Sequence, residues 1–274
     1  MMRKIGFGHI SKLIMAAMLP VLFGSAPAPA QPTAGSASGV ATPPPDFSGL
    51  WQRPLSQGRM GAVKNLSERA DVVIGDWQDP VLQPWAAAIV KQHGDMEAAG
   101  FAAPETKQTC WPGSVPNMLS IPSQMEVLQT PKLVTVLYSN DHQVRFIYMD
   151  QPHSAHVTSS WYGESVGHYE GDTLVVDTIG IASKPMSLVD VFGTPHTDAL
   201  HVVERFHLIN GGKTIRVDIR VEDPGTFTRA WDEGSIFNKA DEQFDEYVCA
   251  ENNPLIGIDK SSGDMPRARY VPPF

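Results

Sequence analysis

From residue 124 onward the chain is a succession of short extended segments separated by turn-forming residues, and this pattern constrains the fold more than any other feature. Gln124–Gln129 and Lys132–Tyr138 are rich in β-branched and aliphatic residues and are divided by Thr130-Pro131. Gln143–Met149 follows across Ser139-Asn140-Asp141-His142. Trp161–Tyr169 and Thr173–Thr178 flank Glu170-Gly171-Asp172, and Leu200–Ile209 and Thr214–Val221 flank Asn210-Gly211-Gly212-Lys213, the strongest hairpin signal in the chain. Phe227–Phe237 and Gln243–Cys249 complete the series. Ile215, Val217, Ile219 and Val221 alternate with Arg216, Asp218, Arg220 and Glu222, so this strand has one dry face and one wet face. With a short opening strand at 46–51, the count is about nine or ten strands with no βαβ repeat. The fold class expected is mainly β: an antiparallel, lipocalin-like barrel with one inserted helix, the alternative being a β-sandwich.

The inserted helix is expected over about Val81 to Ala99. Asp79 is placed to cap it, Pro80 and Pro84 suit its first turn, and Leu82, Trp85, Ile89 and Val90 form its apolar stripe. Residues 53–76 and the proline-rich 103–122 read as loops. The start of the chain carries Arg3, Lys4 and Lys12, then an apolar run from Leu13 to Phe23, then Ala28 and Ala30 at small-residue positions. That run is about half the roughly 20 residues a membrane span needs. Residues 1–30 are therefore expected to be a removable signal peptide. Residues 31–45 would be a flexible leader, 46–255 a single barrel domain and 256–274 a C-terminal tail. No membrane association is expected after cleavage, and the location expected is periplasmic or secreted.

Loss of residues 1–30 would take the formal charge from −9 to −12. Without a basic cluster to offset it, this balance excludes nucleic acid and anionic membranes as expected partners. The two cysteines, Cys110 and Cys249, form an even count in an oxidising compartment and read as a disulfide. It would close a loop of about 140 residues, nominally worth about 4–5 kcal/mol in the chain-entropy model. A free catalytic thiol is the competing reading.

Six of the nine histidines fall between 142 and 201. His153 in Asp150-Gln151-Pro152-His153 and His196 in Gly193-Thr194-Pro195-His196 each follow a proline in a loop, where a rigid scaffold commonly holds reacting groups. Alternation along Leu200–Ile209 puts Glu204 on the face of Val202, Phe206 and Leu208. A carboxyl in such an interior is pushed toward general acid or base behaviour, with Arg145 or His196 as its partner. No metal is expected: His201 and Glu204 are an odd number of residues apart and point to opposite faces. Ser165, in Gly163-Glu164-Ser165-Val166-Gly167, matches a nucleophile-elbow spelling but lacks its strand–turn–helix setting. No nucleotide or redox cofactor motif occurs, so no cofactor is expected.

Two stretches, Ser160-Trp161-Tyr162-Gly163-Glu164-Ser165-Val166-Gly167-His168-Tyr169-Glu170-Gly171-Asp172-Thr173-Leu174-Val175-Val176-Asp177-Thr178 and Pro195-His196-Thr197-Asp198-Ala199-Leu200-His201-Val202-Val203-Glu204-Arg205-Phe206, resemble a large family of exported β-rich bacterial proteins. The likeness runs through Tyr247-Val248-Cys249-Ala250-Glu251-Asn252-Asn253 and implies fold and export, without a chemistry. Phe47-Ser48-Gly49-Leu50-Trp51 is similar to the G-x-W opening strand of lipocalins, which implies a barrel around a small molecule. The function expected is a cofactor-independent acid–base enzyme acting on a small, partly aromatic molecule. The reaction would be a lyase step (decarboxylation or loss of a small aldehyde) or an isomerisation. The catalytic set expected is His153, His196, Glu204 and Tyr162. Arg145, Tyr148, Trp161 and Asp190 would contact the substrate. A periplasmic binding or carrier protein and a hydrolase are the alternatives.

Overall fold

A computed structural model describes residues 43–54, 76–99, 110–140 and 142–249. The expected signal peptide, most of the leader, the greater part of the 53–76 loop and the C-terminal tail lie outside the described residues. Nine strands close into one barrel in chain order: β1 Gly49–Gln52, β2 Gln124–Gln129, β3 Leu133–Tyr138, β4 Gln143–Met149, β5 Glu164–Glu170, β6 Thr173–Ile179, β7 His201–Ile209, β8 Thr214–Glu222 and β9 Trp231–Lys239. The ring shuts where Trp51 and Gln52 pair with Lys239 and Asn238.

Every neighbouring pair is antiparallel except β4 and β5, whose register sets Ile147 against Ser165 and Met149 against Gly167 in parallel. The barrel is thus mixed, where hairpins alone predict an antiparallel one. Two parallel neighbours cannot be joined by a tight turn, and the chain uses residues 150–163 to return to the starting end. The segment Gln243–Cys249 adds no tenth strand; only Tyr247 makes an isolated bridge, to Asn140. The Asn-Gly-Gly-Lys turn sits where expected, with Asn210, Gly211 and Gly212 all at positive φ.

Strand directions fix the end at which each connection falls. The tight turns at 130–132, 171–172 and 210–213 share one end of the barrel. The long connections, 53–123, 180–200 and 223–230, gather at the other. Functional groups collect where long loops sit on a rigid scaffold, so this arrangement points to the second end.

The described residues contain one α-helix, α1, over Pro84–Ala98. It begins later than the expected Val81 because Gln83 precedes a proline, a position that disfavours helical backbone. The Asp79 carboxylate instead accepts from the Val81 N–H at 2.9 Å in a turn ahead of the helix. The buried stripe is Ala86, Val90 and His93, and Trp85 is 42% exposed, its indole N–H donating to the Gly225 carbonyl at 2.7 Å. A 3-10 turn, Asn117–Ser120, all of it buried, lies in the stretch that reads as loop.

One apolar cluster fills the barrel, from Phe47 and Trp51 through Val176, Val202 and Phe206 to Ile219, Trp231 and Phe237. Burial of Ile215, Val217, Ile219 and Val221 matches the alternation in β8. Cys110 and Cys249 are joined by a disulfide. No helix among the described residues is long and apolar enough to cross a membrane.

Candidate functional site

Two polar islands interrupt the apolar interior. The first centres on Glu204, inside the barrel as the alternation predicts and fully buried. Arg145 on β4, also buried, grips both carboxylate oxygens: Nη1 donates to Oε1 at 2.7 Å and Nη2 to Oε2. The remaining donors are also used, Nε on Ser165 Oγ at 3.1 Å and Nη2 on Thr178 Oγ1 at 2.8 Å, with Tyr138 alongside. Burial alone would lower the Arg145 pKa, but the facing Glu204 charge and its hydrogen bonds raise it. Burial pushes the Tyr138 phenol up to about 12. Ser165, bonded to Arg145 and to Thr178 Oγ1 at 2.9 Å, belongs to the shell of this pair. The glycines of its motif are explained by packing: Gly163 has φ +65°, and a Cβ there would lie 2.4 Å from the Ile179 carbonyl oxygen.

Of the second island, the sequence pattern singles out Asp190 alone. On β9, Trp231, Glu233, Ser235 and Phe237 alternate inward and are buried. Glu233 faces Ile219, which faces Glu204, so the two glutamates stand at one level of the barrel two strands apart. Arg53, just beyond β1 and two residues after Trp51, turns inward as well; its Nε donates to Ser235 Oγ at 3.2 Å. Asp190, in the β6–β7 connection, accepts on Oδ1 from the N–H groups of Phe192 at 2.8 Å and Thr194 at 3.1 Å.

This island is unsatisfied. Glu233 Oε1, Asp190 Oδ2, Arg53 Nη1, Asn117 Oδ1 and Trp231 Nε1 are all buried and have no hydrogen-bond partner among the described residues. Buried polar groups are nearly always paired, so such a cluster calls for water or a ligand. Its electrostatics are equally distinct. Burial, and then the charge of Asp190, push the Glu233 carboxyl up to about 8, although Arg53 pulls the other way. Burial raises Asp190 too, against the hydrogen bonds from Thr194, Phe192 and Gly193. Arg53 is lowered by burial, with Glu233 opposing.

The other expected site residues are scattered. His153 lies on the outer side of the sheet, Nδ1 3.1 Å from Glu164 Oε1 and Nε2 2.9 Å from Asp177 Oδ1. His201 Nε2 reaches the same Asp177 oxygen at 3.1 Å. Asp177 alternates with Val176, which is inside beside Glu204, so His153 and Glu204 are on opposite faces of the sheet. His196 is buried in the β6–β7 connection. Its Nδ1–H donates to the Thr197 carbonyl at 2.8 Å and its Nε2 accepts from Ser187 Oγ at 2.8 Å. Burial lowers its pKa, opposed by the Thr197 bond and by Asp223 and Asp198.

The expected meeting of His153, His196 and Glu204 at a shared opening therefore does not occur, because sheet parity sends one outward while a loop buries another. Tyr148 is on the outer face of β4 and 42% exposed, not beside Arg145. Arg145 has its donors committed within the protein and is not placed to anchor a substrate. Tyr162 packs against the apolar cluster. Trp161 packs at a tilt against Trp111 at the long-loop end, with ring centroids 5.3 Å apart. Among the described residues no group of three or more His, Cys, Asp or Glu side chains is arranged to hold a metal ion.

Glu233 and Arg53 were within reach of the parity argument that found Glu204: each is an even number of residues from a tryptophan on its own segment, Trp231 and Trp51. The chain matches no family model and no curated protein sequence.

Proposed function

We propose that the protein is an exported, cofactor-independent acid–base enzyme whose site is the Arg53–Asp190–Glu233 island at the long-loop end. The observation that carries this reading is Glu233: a buried carboxyl raised to about 8, next to a second carboxyl, with one oxygen that has no hydrogen-bond partner among the described residues. Carboxyl groups tuned in this way supply acids and bases near neutral pH. Glu233 holds a proton and gives it to the substrate; Asp190 accepts one through Oδ2; Arg53 Nη1 fixes a substrate oxygen. The pair takes over the acid–base role that the sequence suggests for His153 and His196, because both nitrogens of each ring already meet partners within the protein. The reaction class is proton transfer on a small molecule, as in a lyase that expels carbon dioxide or a small aldehyde, or in an isomerase. Export to the periplasm or beyond is supported by the disulfide together with the apolar start of the sequence.

The test is a screen of small aromatic and lactone compounds by mass change, with wild type, Glu233→Gln and Asp190→Asn. The expected result is turnover by the wild type and a loss of about 10²–10⁴ in kcat in Glu233→Gln. Undiminished turnover in both variants overturns the assignment. Ligand binding without turnover by the wild type, weakened in both variants, favours a carrier.

A further inference from the structure

We propose that Trp111, Trp161 and Lys184 form the outer part of this same site, a platform for an aromatic ring bearing a carboxylate. This rests on the reading of the long-loop end as a small-molecule site, and it names the substrate class: aromatic acids with an uncharged, hydroxyl-bearing arm.

The three side chains meet at the rim. The Trp111 and Trp161 rings are tilted by 47°, and Lys184 Nζ lies 4.8 Å from the centroid of the Trp161 ring. Trp111 is 47% exposed, a large apolar area to leave in water. Yet its backbone is fixed: Cys110 next to it is tied to Cys249, and Ser114 Oγ donates to the Leu188 carbonyl at 2.8 Å. Trp161 is held similarly, since Ser160 before it bonds the Gly180 carbonyl at 3.1 Å and receives the Ala182 N–H at 2.8 Å. Rigid, exposed aromatic rings present binding area at little cost in conformational entropy.

The segments that carry the platform are tied to those that carry the island. The segment from Trp111 to Asn117 and the segment from Lys184 to Asp190 are pinned together by the Ser114–Leu188 bond. Both run from exposed residues at the rim to buried polar groups, Asn117 and Asp190, inside. Trp111 and Asn117 are close enough in sequence that their Cα atoms lie within about 20 Å. Charge sets the orientation of a ligand along this seam. The one guanidinium there, Arg53, already faces the carboxyl groups of Glu233 and Asp190, so the inner end disfavours a carboxylate and favours an uncharged arm with hydroxyl groups for Asn117 and Asp190. The ligand's negative charge stays at the rim with Lys184, its ring against Trp111.

Calorimetric titration of the full-length mature protein with 4-(hydroxymethyl)benzoate, and with benzyl alcohol as the uncharged control, tests this. The expected result is binding of the acid, weakened about fivefold or more by Trp111→Ala, kept by Trp111→Phe, and weakened about threefold or more by Lys184→Gln. Benzyl alcohol should bind more weakly and be indifferent to Lys184→Gln. The proposal is overturned if the acid does not bind, if Trp111→Ala binds it like the wild type, or if acid and alcohol bind alike. Acid binding through Trp111 in a protein whose Glu233→Gln variant keeps full turnover would sink the acid–base assignment and leave the platform. Lost turnover in Glu233→Gln with binding indifferent to Trp111 would do the reverse.

Discussion

Glu204 and Glu233 occupy equivalent positions, inward on β7 and β9 at one level of the barrel with Ile219 between them, yet they are opposite in character. Glu204 is met by a guanidinium that uses both of its oxygens, and every partner around that pair is itself bonded. Glu233 faces Arg53 without an ion pair and keeps one oxygen unpartnered among the described residues. Burial is common to both; what separates them is whether the neighbouring cation is committed. A closed pair holds strands together, whereas an open carboxyl with a raised pKa can move a proton.

Breaking the closed island should give the largest effect on stability. Arg145→Met leaves Glu204 buried without its counter-charge and is expected to cost about 3–5 kcal/mol in urea unfolding. The double variant Arg145→Met, Glu204→Leu should recover most of that loss, since an apolar pair of similar volume removes both charges together. A double variant as unstable as the single one would show that the network does more than balance charge.

The open island should show itself in pH dependence. The folded pKa of Glu233 is raised from 4.5 to about 8, so between these values the folded state holds a proton that the unfolded chain has released. Its contribution is fully present below about 4.5 and is lost as pH rises toward about 8, with a slope of at most about 1.4 kcal/mol per pH unit. Asp190, also raised, acts in the same direction. Glu233→Gln should flatten the slope over pH 5–8 and stay within about 1 kcal/mol of the wild type below about pH 4.5, since glutamine is close in shape to the protonated side chain; by pH 7 the variant should be the more stable, by as much as about 3 kcal/mol. An unchanged slope in that variant would assign the pH dependence elsewhere.

The smallest effect is expected outside the barrel. His153→Ala breaks contacts to Glu164 and Asp177 that are partly open to solvent, and should shift stability by about 1 kcal/mol or less. Turnover should be unchanged, since His153 lies on the outer face of the sheet and Glu233 inside the barrel. A loss of turnover comparable with that of Glu233→Gln would return the histidine to the site.

What was legible in the sequence follows from how local the cause is. The Asn210–Lys213 turn, the alternation of β8, the inward face of Glu204 and the disulfide all rest on short-range pattern or on simple pairing, and all are present. The parallel β4–β5 pair was not legible, because Asp150 to Gly163 reads as an ordinary connection and nothing local states which end it returns to. The helix stripe was displaced because Trp85 looks apolar but finds its partner in Gly225, 140 residues away. The placement of the histidines is not local, because each takes its partners from elsewhere than a shared opening: His153 from β5 and β6, His196 from within its own long connection. Glu233 is legible by parity, but the loop histidines are the louder reactive signal in the sequence. Asp190 could be singled out, but not its nearness to Glu233, which depends on how residues 180–200 fold over the barrel end.

The central claim is that Glu233 holds its proton at neutral pH, and carbon-13 NMR of protein labelled at the glutamate carboxyl measures this directly. One glutamate signal should titrate near pH 8 and be missing from Glu233→Gln. If every glutamate signal completes its titration below about pH 6, Glu233 is an ordinary carboxylate and the acid–base account fails.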